Sequence, residues 1–245
     1  LRLSIFSKNC LYINNYCELR AGAILAQYGR LFDEGSVFSN NSSPFSSTLS
    51  IEANAVCFLQ SSTIHGKPSI FSGALHISGA AIVFVNSSSF INCETIYGGG
   101  AITAFGIEID IFITNTLFRM NRGRFDAAVI EASITRNNSL MMKNCSFQNN
   151  QGARALFVIT ELNFSIANCE FTKNESPIIV ASTAAIMIFN VSHVTEITNS
   201  SENSNIMIKI TIASSFSLIN CAFTNRLNPI KVFFSIEDSF LSLFN

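Results

Sequence analysis

The sequence predicts an all-β solenoid, a right-handed single-stranded parallel β-helix of about nine rungs of ~26 residues each. Three observations carry that expectation. A phrase, Asn-Cys-x-Phe-x-x-Asn, recurs, most fully as Asn144-Cys145-Ser146-Phe147-Gln148-Asn149-Asn150 and again from Asn168 through Cys169 and Phe171 to Asn174. Its aromatic returns at Tyr12, Phe38, Phe58, Phe90, Phe118, Phe147, Phe171 and Phe223, with a degenerate copy near His193-Val194, so the period is about 26 residues. Between these markers the apolar pattern has period two: Ile107, Ile109, Ile111 and Ile113 alternate with Glu108, Asp110, Phe112 and Thr114, as a strand with one buried face requires. Helix is the wrong reading for such a chain.

Each part of the phrase has a physical task. Its first Asn ends a short strand, at Asn115, Asn144, Asn168 and Asn220. Asn tolerates left-handed backbone angles and bonds to nearby backbone, so it turns the chain, and stacking the turns aligns these residues into a ladder. Cys10, Cys145, Cys169 and Cys221 sit two residues before the aromatic and read as small buried groups at one stacked position. The aromatic points inward and stacks on its equivalent one rung away. The last Asn, as at Asn121, Asn150 and Asn174, leads into the next corner. About ten residues after the marker come small residues: Ala21-Gly22-Ala23-Ile24, Gly98-Gly99-Gly100-Ala101-Ile102 and Asp126-Ala127-Ala128-Val129. Gly and Ala there allow a tight corner and close backbone approach. Three short strands and two corners fill one rung, and the hand follows from the usual right-handed parallel crossover.

Composition agrees with one continuous domain over residues 1–245 that reads as an excerpt of a longer chain. Apolar residues make up 48%, enough for a long core, while charged residues are only 13%. The formal net charge of −1 supplies no basic surplus, which argues against nucleic acid as a partner. Seven cysteines leave at least one thiol unpaired within the chain, and without a CxxC neither a zinc knuckle nor a thioredoxin-type site is suggested. A Cys145–Cys169 bridge between neighbouring turns is geometrically conceivable, because stacked strands lie about 4.8 Å apart. The longest apolar stretch, Pro177 to Val191, is interrupted by Ser182, Thr183 and Asn190 and falls short of the ~20 residues that span a bilayer as a helix. It reads as buried strands.

The paired motifs Phe-x-x-Asn and Gly-Gly-Ala-Ile carry a family resemblance. They stand at Tyr12/Asn15, Phe38/Asn41, Phe118/Asn121, Phe147/Asn150, Phe171/Asn174 and Gly99 to Ile102, with departures where Phe90 is followed by Cys93 and Phe58 by Ser61. In these the chain resembles the chlamydial polymorphic outer membrane proteins and related β-helix surface proteins of microbial eukaryotes. The resemblance implies a pectin lyase-like coil, an extracellular or cell-surface location, and an adhesin-like or structural passenger whose partners are a host-surface protein or glycan. It supplies no catalytic residue.

Parallel β-helices also serve as polysaccharide lyases and hydrolases, which need clustered carboxylates or a carboxylate-bound Ca²⁺. This is the alternative reading. The nearest candidates are Glu108 and Asp110, expected on the outward face of one strand about 7 Å apart. His65-Gly66-Lys67-Pro68 reads as a surface loop, and His76 and His193 lack an acidic neighbour along the sequence. Without a P-loop, dinucleotide fingerprint or HExxH there is no support for a cofactor or a metal. Two polar segments, Ser36 to Ser50 and Thr198 to Asn205, are expected to project as loops. Sequons at Asn41, Asn86, Asn190 and Asn199 are candidate glycosylation sites.

Overall fold

The computed structural model describes residues 3–135, 138–176, 178–182, 186–190, 193–195, 206–211, 216–219, 223–224, 232–237 and 241–244, with side chains to residue 179. Every paired strand is parallel to its neighbour, and the strands fall into three long sheets of ten, nine and nine strands and one short three-stranded sheet. The first sheet begins with Ser4–Lys8, Arg30–Glu34, Ala55–Gln60 and Ala81–Asn86; the second with Leu11–Ile13, Val37–Asn41, Thr63–Gly66 and Ser89–Ile91; the third with Ile24–Gln27, Leu49–Glu52, Leu75–Ser78 and Ile102–Ile107. The chain visits the three in turn, so each circuit is one rung of a coil. One rung cannot bury its apolar side alone, and stability accrues as neighbours stack.

Inside the coil, alternate residues of each strand form columns. Leu31, Cys57, Val83, Ile111 and Leu140 follow one another from the first sheet, and Leu49, Leu75, Ile102, Ile130 and Phe157 from the third, all fully buried. The second sheet contributes the marker column. Phe90, Phe118, Phe147 and Phe171 are each 0% exposed and stack with centroids 5.2, 5.1 and 4.7 Å apart. Such a column combines ring–ring attraction with about 1.5–3 kcal/mol of burial per ring. Phe58 does not belong to it. Ile64 is the residue paired with Phe38 and Phe90, while Phe58 faces outward from the first sheet. With Ile64 restored to its place, the steps from Tyr12 to Phe90 are 26 residues each. The degenerate copy at Val194 does occupy the column by backbone register, between Phe171 and Phe223.

The first asparagine of the phrase does what is expected of it, and the last does more. Asn115, Asn144 and Asn168 do turn the chain, with φ of 49°, 54° and 50°. They are exposed, and Asn144 Nδ2 donates to Asn115 Oδ1 at 3.2 Å while Asn115 Nδ2 donates to Asn86 Oδ1 at 2.9 Å. The continuous buried ladder is made instead by the last Asn. Asn150 Nδ2 donates to the Phe118 carbonyl at 3.0 Å and Asn174 Nδ2 to that of Phe147 at 2.9 Å. Each Oδ1 accepts two bonds from the preceding rung: Asn150 from the Asn121 backbone N–H at 2.9 Å and Nδ2 at 3.1 Å, Asn174 from Asn150 at 3.0 Å twice. A primary amide has two N–H donors and an acceptor oxygen, so it can bond a carbonyl and the next amide while accepting from the previous one. A second left-handed corner precedes it, at Met120, Asn149 and Lys173, with φ of 55°, 52° and 54°. Asn220, Cys221 and the Phe223 side chain lie outside the described residues.

In two rungs the ladder lapses, at Gly66 and Cys93. Cys93 N–H still donates to Asn121 Oδ1 at 3.0 Å, but a Cβ on Gly66 would lie 2.9–3.1 Å from Cys93 atoms. Gly66 belongs to the strand Thr63–Gly66, so His65 is a strand residue and not part of a loop. The small-residue corner behaves as expected: a Cβ on Gly99 or Gly100 would meet backbone at 2.0 and 2.4 Å. Ser36 to Ser50 does not project, since Ser43, Ser46, Ser47 and Thr48 are buried and Ser46 N–H donates to Arg20 O at 3.0 Å. Asn41, a sequon residue, is itself 0% exposed inside the ladder. The loop expected at 198–205 falls outside the described residues.

Candidate functional site

Three outward features remain once the core is accounted for. Along the first sheet, Phe6, Phe32, Phe58, Phe84 and Phe112 occupy successive rungs, their centroids 5.1, 4.9, 4.8 and 5.1 Å apart and their planes within 14° of parallel. Carbon atoms in contact need about 3.5 Å, so parallel rings this close overlap face to face and turn their edges to solvent. Register sets Arg30, Val56, Ile82 and Asp110 on one side of this strip and Glu34, Gln60, Asn86 and Thr114 on the other. Met141 continues it beyond Phe112. A looser ladder, Phe45, Phe71, Tyr97 and Phe125, runs along the corner before the third sheet, with centroids 5.4–6.4 Å apart and each ring about half exposed.

The third is a pair of charged clusters between residues of the third sheet and of the corner before it. In the first, Glu52 is 5% exposed and its carboxylate is bonded by Arg20, by Gln27 Nε2 at 2.9 Å and by Ser50 Oγ at 2.6 Å. His76 shares a cleft of about 480 Å³ with Arg20, Glu52, Phe45 and Ser78, and its Nδ1 is paired with Ser72 Oγ at 3.0 Å. Burial, helped by the Arg20 charge, pushes the His76 pKa down to about 4, so the ring is neutral near pH 7. In the second cluster, Arg154 Nη1 binds Asp126 Oδ1 at 3.0 Å beside Glu131, whose Oε2 is buried without a hydrogen-bond partner. Burial first and the Asp126 charge second raise the Glu131 pKa to about 7, against the opposing pull of Arg154.

The sequence candidates Glu108 and Asp110 are not on one strand face. Ile107 ends one strand and is 59% exposed, Glu108 is the corner itself with φ of 57°, and Asp110 lies on the strand Ile109–Thr114. Both line a cleft of about 410 Å³, but Asp110 Oδ1 is committed to the Ser139 backbone N–H at 2.9 Å. Sequence reasoning missed Glu52, Glu131, Arg20, Asp126 and Arg154 as neighbours because they come from different rungs. His76, which lacks an acidic neighbour along the chain, acquires Glu52 only through stacking. Among the described residues no group of three or more His, Cys, Asp or Glu is placed to hold a metal ion. No described helix is long and apolar enough to cross a membrane. No protein-family model, curated protein or solved structure matches this chain.

Proposed function

We propose that this chain is a non-catalytic β-helix domain of a surface-exposed or secreted protein, an adhesin-like or structural passenger akin to the polymorphic outer membrane proteins its motifs resemble. The observation that supports the reading is the unbroken outer ladder from Phe6 to Phe112. It is an extended apolar strip repeated at the spacing of the coil. A contiguous exposed apolar patch on a protein surface marks a contact site more often than chance. Edge-on rings offer little face for stacking on a sugar, so an extended apolar protein surface fits the strip better than a pyranose. The test is adhesion of the purified domain to intact cells and to immobilised extracellular proteins and glycans. A Phe58→Ser/Phe84→Ser double variant that folds yet binds as well as wild type would sink the reading.

A carbohydrate-active lyase or hydrolase is the second reading, and Glu131 favours it. A carboxyl group with a pKa of about 7 beside the Asp126 carboxylate and Arg154 has the protonation expected of a general acid. Polysaccharide cleavage abolished by Glu131→Gln would establish this reading over the first.

A further inference from the structure

We infer that Cys145 and Cys169 close a disulfide that joins one complete turn of the coil to the next when the chain folds in the presence of a small-molecule disulfide oxidant such as oxidised glutathione. This goes beyond the adhesive reading and does not depend on it. Ser146 is paired with Glu170, which sets the preceding residues, Cys145 and Cys169, opposite each other on adjacent strands. Parallel neighbours lie about 4.8 Å apart, inside the Cα range that a disulfide spans. The Cys169 sulfur is directed at its neighbour, accepting the Cys145 backbone N–H at 3.4 Å.

The occupants of this slot in other rungs sharpen the point. Ser36, Ser62, Ser88 and Thr116 fill it, all buried, and their hydroxyls bond back to the carbonyl two residues earlier where that bond forms, Ser88 to Asn86 at 2.9 Å and Thr116 to Thr114 at 2.8 Å. The thiols make the same bonds at greater length, Cys145 Sγ to Lys143 O at 3.3 Å and Cys169 Sγ to Ala167 O at 3.4 Å. A hydroxyl serves that purpose better. What two consecutive thiols add is the capacity to join. Joining them leaves no carbonyl orphaned, because Lys143 O also accepts Asn115 N–H and Ala167 O also accepts Asn144 N–H, both at 3.0 Å.

The Cys145 thiolate attacks the glutathione disulfide and expels one glutathione thiolate. The Cys169 sulfur then attacks Cys145 of the mixed disulfide and expels the second. The two thiol protons pass to the two departing thiolates; the protein pair is oxidised and the glutathione disulfide reduced. Order of attack follows from the pair itself: a hydrogen bond from the Cys169 thiol holds the Cys145 thiol below its ordinary range, and the same bond, with burial, raises that of Cys169. With exposures of 2% and 0%, the thiols meet the oxidant as the rung docks and the finished bond is shielded from reductant. The other described cysteines are internal controls. Cys10 faces Ser36, Cys57 is paired with Leu31 and Val83, Cys93 lies against Gly66 and Asn121, and Cys17 is on a corner.

The test is refolding of the reduced chain in a glutathione redox buffer, unfolding in the presence of N-ethylmaleimide, and peptide mass analysis. The expected result is one cross-linked peptide pair containing residues 145 and 169, two hydrogens lighter than the reduced pair, with Cys10, Cys17, Cys57 and Cys93 alkylated. Cys145→Ser and Cys169→Ser should each expose the remaining thiol to alkylation. The double serine variant, with hydroxyls in both slots, should fold and melt with reduced wild type, below the oxidised protein. Chain folded during export to the bacterial periplasm is read in the same way, so poor refolding leaves the outcome defined. Full alkylation of both thiols in folded wild type, or linkage of Cys145 to glutathione or to another cysteine, would overturn the assignment.

Discussion

The two closely stacked columns of aromatic rings along this coil, one inside the second sheet and one outside the first, have nearly the same ring spacings. The inner rings lie 4.7–5.2 Å apart and the outer rings 4.8–5.1 Å. Parallel register alone sets that distance, so stacking is a consequence of identical residues at identical rung positions and not of burial. What differs is tolerance. The inner column accepts Ile64 in place of a ring, because any apolar side chain of suitable volume fills a core. The outer column keeps a ring on five successive rungs, including Phe58 on the rung where Ile64 breaks the inner one. Core packing accounts for the first column and leaves the second unexplained, which is why function is sought there.

The largest break should come from the inside. Phe118→Ala empties a fully buried position between two stacked rings and is expected to cost about 4 kcal/mol, read as a lowered denaturant midpoint. Next comes Asn150→Ala, which strips partners from the Phe118 carbonyl and the Asn121 N–H and should cost about 3 kcal/mol. Phe58→Ser removes two outer stacking contacts from a half-buried ring and should cost only about 1 kcal/mol, while cell adhesion falls out of proportion to that loss. A stability loss at Phe58 as large as at Phe118 would erase the distinction between the columns.

The smallest effect lies at Glu131 and depends on pH. The Glu131 pKa in the fold, about 7, stands above its ordinary value of 4.5, so the native state keeps a proton that the unfolded chain releases. Stability therefore rises as pH falls through 7, reaches its full gain near 4.5, and is lost again as pH rises through the folded value. Partial solvation of this side chain reduces the gain to about 1 kcal/mol. Glu131→Gln should flatten that slope in melting curves taken between pH 4.5 and pH 8 and stabilise the protein at the upper end.

Nearly all of the coil was legible in the recurrence of one phrase, because a solenoid writes its period directly into the chain. Errors arose where two columns used the same residue type. Phe58 reads as an inner marker, though it is six residues before Ile64 on the same rung; only strand register separates an inward Phe from an outward one. The buried ladder of the last Asn escapes the sequence for a related reason. The first and last residues of the phrase are both Asn, one chosen for its backbone angle and the other for its amide, and sequence does not distinguish the two demands. The charged cleft was invisible, since Arg20, Glu52 and His76 come from successive rungs and meet only when these stack. Asp33 escaped notice in the same way: it sits in phase with Leu31, pointing into the core, where Ser62 Oγ bonds it.

The lapse of the amide ladder at Gly66 and Cys93 has a mechanical consequence. For a coil pulled along its axis, the load is shared among all the bonds joining one turn to the next. Asn121, Asn150 and Asn174 splice their turns together with buried side-chain amides in addition to the backbone, whereas at the same position the step from Gly66 to Cys93 has only a thiol, and its side-chain links lie elsewhere in the turn, at Gln60–Asn86, Ser62–Ser88 and Thr63–Ser89. Under tension the load that the amides carry elsewhere passes, at that step, to these three links.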